Sequence, residues 1–141
     1  MKIVYTYLVM DLIHAGHILY MKNAKALAGE DGRLIVGILT DKATLEKKPK
    51  PPILSLEERI QIASAIKYVD MVVAQDTYSP LDNVINIKPD ILVESESHDE
   101  EDTKLMEAEL EALNIYTKIV KLPYYPCQSS TEIKNKIKGD K

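Results

Sequence analysis

Two histidines, His14 and His17, stand in the stretch Asp11-Leu12-Ile13-His14-Ala15-Gly16-His17. Three positions apart on a helix, they share one face. An imidazole can hydrogen-bond a phosphate oxygen whether neutral or charged. Gly16 between them lets a ligand approach the backbone. A helix N-terminus at that point offers free N–H groups and a positive dipole to an anion. Capping or packing would use the same pair, so the tetrapeptide by itself is only a moderate signal. Zinc is poorly served, because His98 and Cys127 are the other soft ligands and neither has companion spacing. No Walker loop, no G-x-G-x-x-G fingerprint and no serine nucleophile elbow occurs.

The histidines follow a strand and open a helix. Lys2 to Met10 is a near-continuous apolar run, as in a parallel strand covered on both faces. From Ala15 to Ala28, Ile18, Met21, Ala24 and Leu27 recur at helical spacing, and Gly29 with Gly32 ends the pattern. Arg33 to Leu39 reads as a second buried strand. Thr40 to Leu54, with three prolines and four lysines, reads as a long loop. Ser55 caps a helix with Glu57 and Glu58 in its first turn. Beyond it the expected elements are strands at Met71–Ala74, Ile91–Val93 and Tyr116–Leu122, and helices at Pro80–Ile87, around Leu105–Leu113, and at Ser129–Ile137. Five alternations without repeats predict a single domain over residues 1–141. The expected architecture is α/β and Rossmann-like, a five-stranded parallel sheet with helices on both faces. Ligands of such sheets sit beyond the carboxyl ends of the strands, which is where the histidines fall.

Composition narrows the function. The 141 residues are 45% hydrophobic and 28% charged, an ordinary globular balance. One cysteine cannot form an intramolecular disulfide. No apolar run reaches a membrane span and the first residues lack secretory grammar, so a cytoplasmic location is expected. A net charge of −4 argues against a general nucleic-acid or anionic-membrane binder. Lysines gather in two places, Lys42, Lys47, Lys48 and Lys50, then Lys134, Lys136, Lys138 and Lys141. They either decorate a loop and a tail or converge on something polyanionic, and composition alone leaves both readings open.

The histidine stretch resembles the D-x-x-H-x-G-H signature of the nucleotidyltransferase superfamily. Further stretches are similar in the same order. Gly37-Ile38-Leu39-Thr40-Asp41 resembles the second strand and its Thr-Asp ending. Leu56-Glu57-Glu58-Arg59 and Ile66-Lys67-Tyr68-Val69-Asp70 resemble the helix carrying E-x-R and (R/K)-Y-V-D. Ser129-Ser130-Thr131-Glu132-Ile133-Lys134 resembles the closing motif. The resemblance is strongest to glycerol-3-phosphate and phosphonate cytidylyltransferases, with archaeal-type FAD synthetases as near rivals.

The resemblance implies direct attack of an acceptor phosphate or phosphonate oxygen on a nucleoside triphosphate, with release of pyrophosphate. CMP transfer from CTP is the first expectation. ATP-dependent adenylyl transfer, of FAD-synthetase or phosphopantetheine type, is the alternative, beside a nucleotide-binding module that no longer does chemistry. The implied catalytic residues are His14, His17 and Lys47. The implied nucleotide contacts are Val9, Asp11, Gly16, Arg59, Ser129, Ser130, Thr131 and Lys134. Mg²⁺ would travel with the triphosphate and no protein metal site is expected. A small phosphorylated acceptor and a homodimer complete the expectation. The chain departs from its relatives at Leu8 and Val9 (usually Gly-Thr or Gly-Ser), at Tyr124 (arginine), and at Ser95-Glu96-Ser97-His98, where G-D-D is usual.

Overall fold

The computed structural model describes residues 1–96, 98–123 and 137. Strands β1 (Ile3–Leu8), β2 (Arg33–Leu39), β3 (Met71–Gln75), β4 (Ile91–Ser95) and β5 (Lys118–Leu122) form one sheet in the order β3-β2-β1-β4-β5. Every pairing is parallel. Helices α1 (Ala15–Ala28), α2 (Asp41–Leu45), α3 (Leu56–Ser64), α4 (Leu81–Ile87) and α5 (Glu100–Ala112) connect them. The five-stranded parallel α/β architecture is therefore the one expected.

Alternation along the strands divides the core in two. Val4, Leu34, Val36 and Ile38 face Met21 and Ala24 of α1 and Ala63 of α3. Tyr5, Tyr7, Ile35, Leu39 and Leu92 face Val84 of α4 and Met106 and Leu110 of α5. The order of strands reverses between β1 and β4, so the crevice beyond their carboxyl ends is the switch point of the fold.

Local signals account for most boundaries. Gly29 stops α1 with a φ of 76° and an extended ψ, a positive-φ conformation open to glycine because it has no Cβ. Ser55 and Glu58 form the reciprocal capping box that starts α3. β1 ends two residues before the predicted limit, because buried Met10 turns the chain with a φ of 60°. The predicted loop 40–54 contains a short helix, α2, whose cap is Thr40: its side chain accepts from Ala43 N. β4 runs on to Ser95, past the predicted end. The predicted helix at 129–137 lies outside the described residues except for Ile137.

Candidate active site

The floor of the crevice is built by two charged side chains that solvent scarcely reaches. Asp11, only 4% exposed, accepts from the backbone N–H of Ile53 at 3.0 Å and of Leu54 at 2.9 Å. Arg59 is fully buried and donates to the carbonyls of Val9, Leu39 and Leu54 and to Asp41 Oδ1. An unpaired charge in such a place would be costly, but this guanidinium is matched on its several N–H groups. Asp11 and Arg59, expected from the motif resemblance as nucleotide contacts, are here engaged by the protein's own backbone and by Asp41. Their burial and their bonds to backbone put them beneath the crevice, joining the β1–α1 loop to α2 and the start of α3. Val9 belongs to the same joint through its carbonyl.

His14 and His17 rise from this floor as the first turn of α1. His14 is the N-cap and its Nδ1 accepts from Gly16 N at 3.0 Å. His17 reaches back, and its Nδ1 accepts from His14 N at 3.2 Å. The pair thus forms a capping box in imidazoles, with ring centroids 4.2 Å apart. A nitrogen that accepts a backbone N–H carries no proton, so each neutral ring holds its proton on Nε2. Burial and the neighbouring His14 lower the His17 pKa from 6.5 to about 4, which keeps His17 neutral at physiological pH. Capping thus fixes two imidazole N–H donors beside the amide-rich end of α1. That arrangement is suited to the oxygens of a phosphate.

On the other face of the sheet, but at the same carboxyl edge, lies a cluster that the sequence did not disclose. Tyr7 Oη of β1 donates to Glu94 Oε2 of β4 at 2.7 Å. His98 Nδ1 lies 2.6 Å from the same oxygen. The His98 ring stacks against Tyr78, with centroids 6.4 Å apart, and Lys47 Nζ lies 5.6 Å from the Tyr78 ring centre. The structure therefore sets Lys47 beside the β3–α4 loop. Tyr78 N donates to Glu46 Oε2, and Gln75 Nε2 donates to the carbonyls of Thr77 and Tyr78, which fixes that loop from both sides. Gln75 is held in turn by Tyr5, whose hydroxyl donates to Gln75 Oε1. Gly37 makes room for this, since a Cβ there would run into the Tyr5 hydroxyl.

Ser129, Ser130, Thr131 and Lys134 lie outside the described residues, as does Tyr124. A cleft of about 440 Å³ near Lys88, Asp90, Asn114 and Thr117 opens at the amino ends of β4 and β5. That is the end of the sheet away from the histidines and from the switch point. No helix among the described residues is long and apolar enough to cross a membrane.

A parallel sheet with a capped histidine pair at its switch point defines an α/β domain for nucleotide phosphates. The chain belongs to the Cytidylyltransferase-like family, which it matches over residues 9–136, and is a nucleotidyltransferase. It is 33% identical over 117 residues to an FAD synthase of Pyrococcus horikoshii, covering 82% of this chain and 76% of that one. It is 44% identical over 93 residues to the Bifunctional protein HldE of Blochmanniella floridana, covering 65% of this chain and 19% of that protein. Among solved structures, a lipopolysaccharide core biosynthesis protein from Thermoplasma volcanium superposes with a TM-score of 0.75 at 30% identity. That match covers 89% of this chain and 98% of the other.

Proposed function

We propose that this enzyme transfers an adenylyl group from ATP to a small phosphorylated acceptor and releases pyrophosphate. The observation that carries the transfer chemistry is the capped pair His14 and His17, whose Nε2–H groups are held at the N-terminus of α1. The choice of base rests on the relatives. FAD is an adenylate joined to flavin mononucleotide, so a relative named for making it moves AMP. This supports ATP over the CTP that motif resemblance alone puts first.

An oxygen of the acceptor phosphate attacks the α-phosphorus; the new P–O bond forms as the bond to pyrophosphate breaks. Negative charge builds on the phosphoryl oxygens, and positioned donors stabilise it. His14 and His17 donate there through Nε2, while Gly16 admits the phosphates to the helix end. Lys47 neutralises the incoming and leaving phosphates. Ser129, Ser130, Thr131 and Lys134 take the β- and γ-phosphates in this reading, following the family's closing motif. Mg²⁺ arrives on the triphosphate and offsets its charge. Among the described residues no three His, Cys, Asp or Glu side chains gather into a metal cluster. A homodimer and a cytoplasmic location belong to the same proposal.

Pyrophosphate release, measured with ATP and with CTP against flavin mononucleotide and glycerol 3-phosphate, tests it. Turnover with ATP is expected. Turnover with CTP alone would restore the cytidylyl reading, and binding of nucleotide without turnover would make the chain a binding module.

A further inference from the structure

The histidines at the crevice are held in opposite senses. His14 and His17 each give up Nδ1 to a backbone N–H, whereas His98 turns Nδ1 toward a carboxylate. Glu94, its side chain only 7% exposed, sits between Tyr7 and His98. Burial and the Glu94 carboxylate together push the Tyr7 hydroxyl far above its ordinary pKa, so it stays a phenol and donates. A phenol has one proton, and the shorter contact, 2.7 Å against 3.3 Å, gives it to Glu94 rather than to His98 Nδ1. The proton between His98 and Glu94 is then the ring's own, on Nδ1. A neutral imidazole protonated there carries its lone pair on Nε2. The His98 side chain is 28% exposed, and Nε2 has no hydrogen-bond partner among the described residues.

We infer that His98, oriented by Glu94 and Tyr7, is a specificity-determining residue whose Nε2 accepts a hydrogen bond from a hydroxyl of the acceptor. The acceptor class is a phosphate ester that also carries a free hydroxyl, and the inference rests on the proposed transfer to a phosphorylated acceptor. A lone pair repels phosphate oxygens, so Nε2 does not read the phosphate. Beyond its phosphate, the donors of a small ester of this kind are its hydroxyls. Lys47, which shares the Tyr78 ring with His98 as a neighbour, supplies the cation that the phosphate needs. Donors from α1 thus face the reacting phosphates while a proton acceptor faces the body of the second substrate. A site built to receive a hydroxyl rejects the analogue lacking it, because the buried polar group is left unpaired.

Two measurements on the full chain test this, and the first needs no turnover. Two-bond proton–nitrogen correlation spectra of the ¹⁵N-labelled protein near pH 7.5 report which ring nitrogen is protonated. Expected are a bare Nε2 on His98 and a bare Nδ1 on His14 and His17, with the His98 pattern lost in Glu94→Gln. A His98 protonated on Nε2, alone or on both nitrogens, overturns the inference. The second measurement titrates the labelled protein with glycerol 3-phosphate and with propyl phosphate, its counterpart without hydroxyls. Expected is a shift of the His98 Nε2 resonance with the first only, and at least tenfold weaker binding of it by His98→Ala, partly rescued in His98→Gln. Equal responses to both esters, or none to either, overturn the inference. Failure of the transfer reading shows separately, as absence of pyrophosphate release by the wild-type enzyme.

Discussion

The fully buried guanidinium of Arg59 meets the half-exposed carboxylate of Asp41 at 2.8 Å, and that contact links α3 to the first turn of α2. Its remaining bonds run to carbonyls of Val9, Leu39 and Leu54, which come from three separate parts of the chain. One side chain therefore joins the ends of β1 and β2 to the start of α3. Replacing it with Met leaves those carbonyls without their donor. A loss of about 3 kcal/mol is expected, a fall of roughly 10 °C in Tm. Asp41→Asn, at the exposed end of the pair, should cost less than about 1 kcal/mol. Thermal melts of both variants check the contrast, and equal losses would remove the joint from Arg59.

Conservative replacements separate capping from chemistry at the histidine pair. Asn is a favourable N-cap and Gln is the usual partner at the third helical position, so His14→Asn and His17→Gln preserve the box. Each keeps an amide NH₂ but loses the ring Nε2–H, whose place and direction a planar amide does not reproduce. Both variants should melt within a few degrees of wild type while turnover falls by about 10²–10³, the loss typical of one donor at a developing charge. Near-normal turnover in either would clear that histidine of its role.

The depressed pKa of His17 makes a signed prediction for stability. Its folded value, about 4, lies below its ordinary value of 6.5, so the unfolded chain takes up the proton first as pH falls. The contribution of the neutral ring is fully present above pH 6.5 and is lost as pH drops toward 4. Tm measured across that window should fall more steeply for wild type than for His17→Gln. Parallel curves would show that the ring titrates alike in both states.

Gly37→Ala should destabilise the protein by about 1–3 kcal/mol, because the added methyl meets the Tyr5 hydroxyl and ring from an adjacent strand. Urea unfolding measures it. Tyr5→Phe should not rescue the variant, since the Tyr5 ring carbon Cζ would still lie 2.8 Å from the new Cβ.

The sheet was legible because its strands are apolar runs of the right length, and α1 and α3 because their caps are written locally. His14 and His17 were legible through spacing, although the capping role of their Nδ1 atoms was not. α2 escaped because five residues are too few to show periodicity, and the prolines and lysines after it dominate the stretch. Thr40 followed by Asp41 was the signal that could have found it. Arg59 read as a ligand contact through the motif it resembles; that three carbonyls and Asp41 also meet there is visible only in the fold. Tyr7, Glu94 and His98 were out of reach for a plainer reason. Tyr7 and Glu94 lie 87 residues apart, and β1 and β4 become neighbours only when the chain crosses over.

Asp11 gives the lysine-rich stretch a fixed length of tether. Its carboxylate pins the backbone at Ile53 and Leu54, while Glu46 is tied to Tyr78 at the other end. Between these anchors run the residues Lys47-Lys48-Pro49-Lys50-Pro51-Pro52, a span of roughly 20 Å if fully drawn out. The prolines stiffen that strap and spare it part of the entropy a looser chain would lose on settling. The backbone N–H groups of Lys47 and Lys48 are held further on the Thr44 carbonyl, so the free run of the strap shortens to Pro49 through Pro52 and its reach is set by where it is moored.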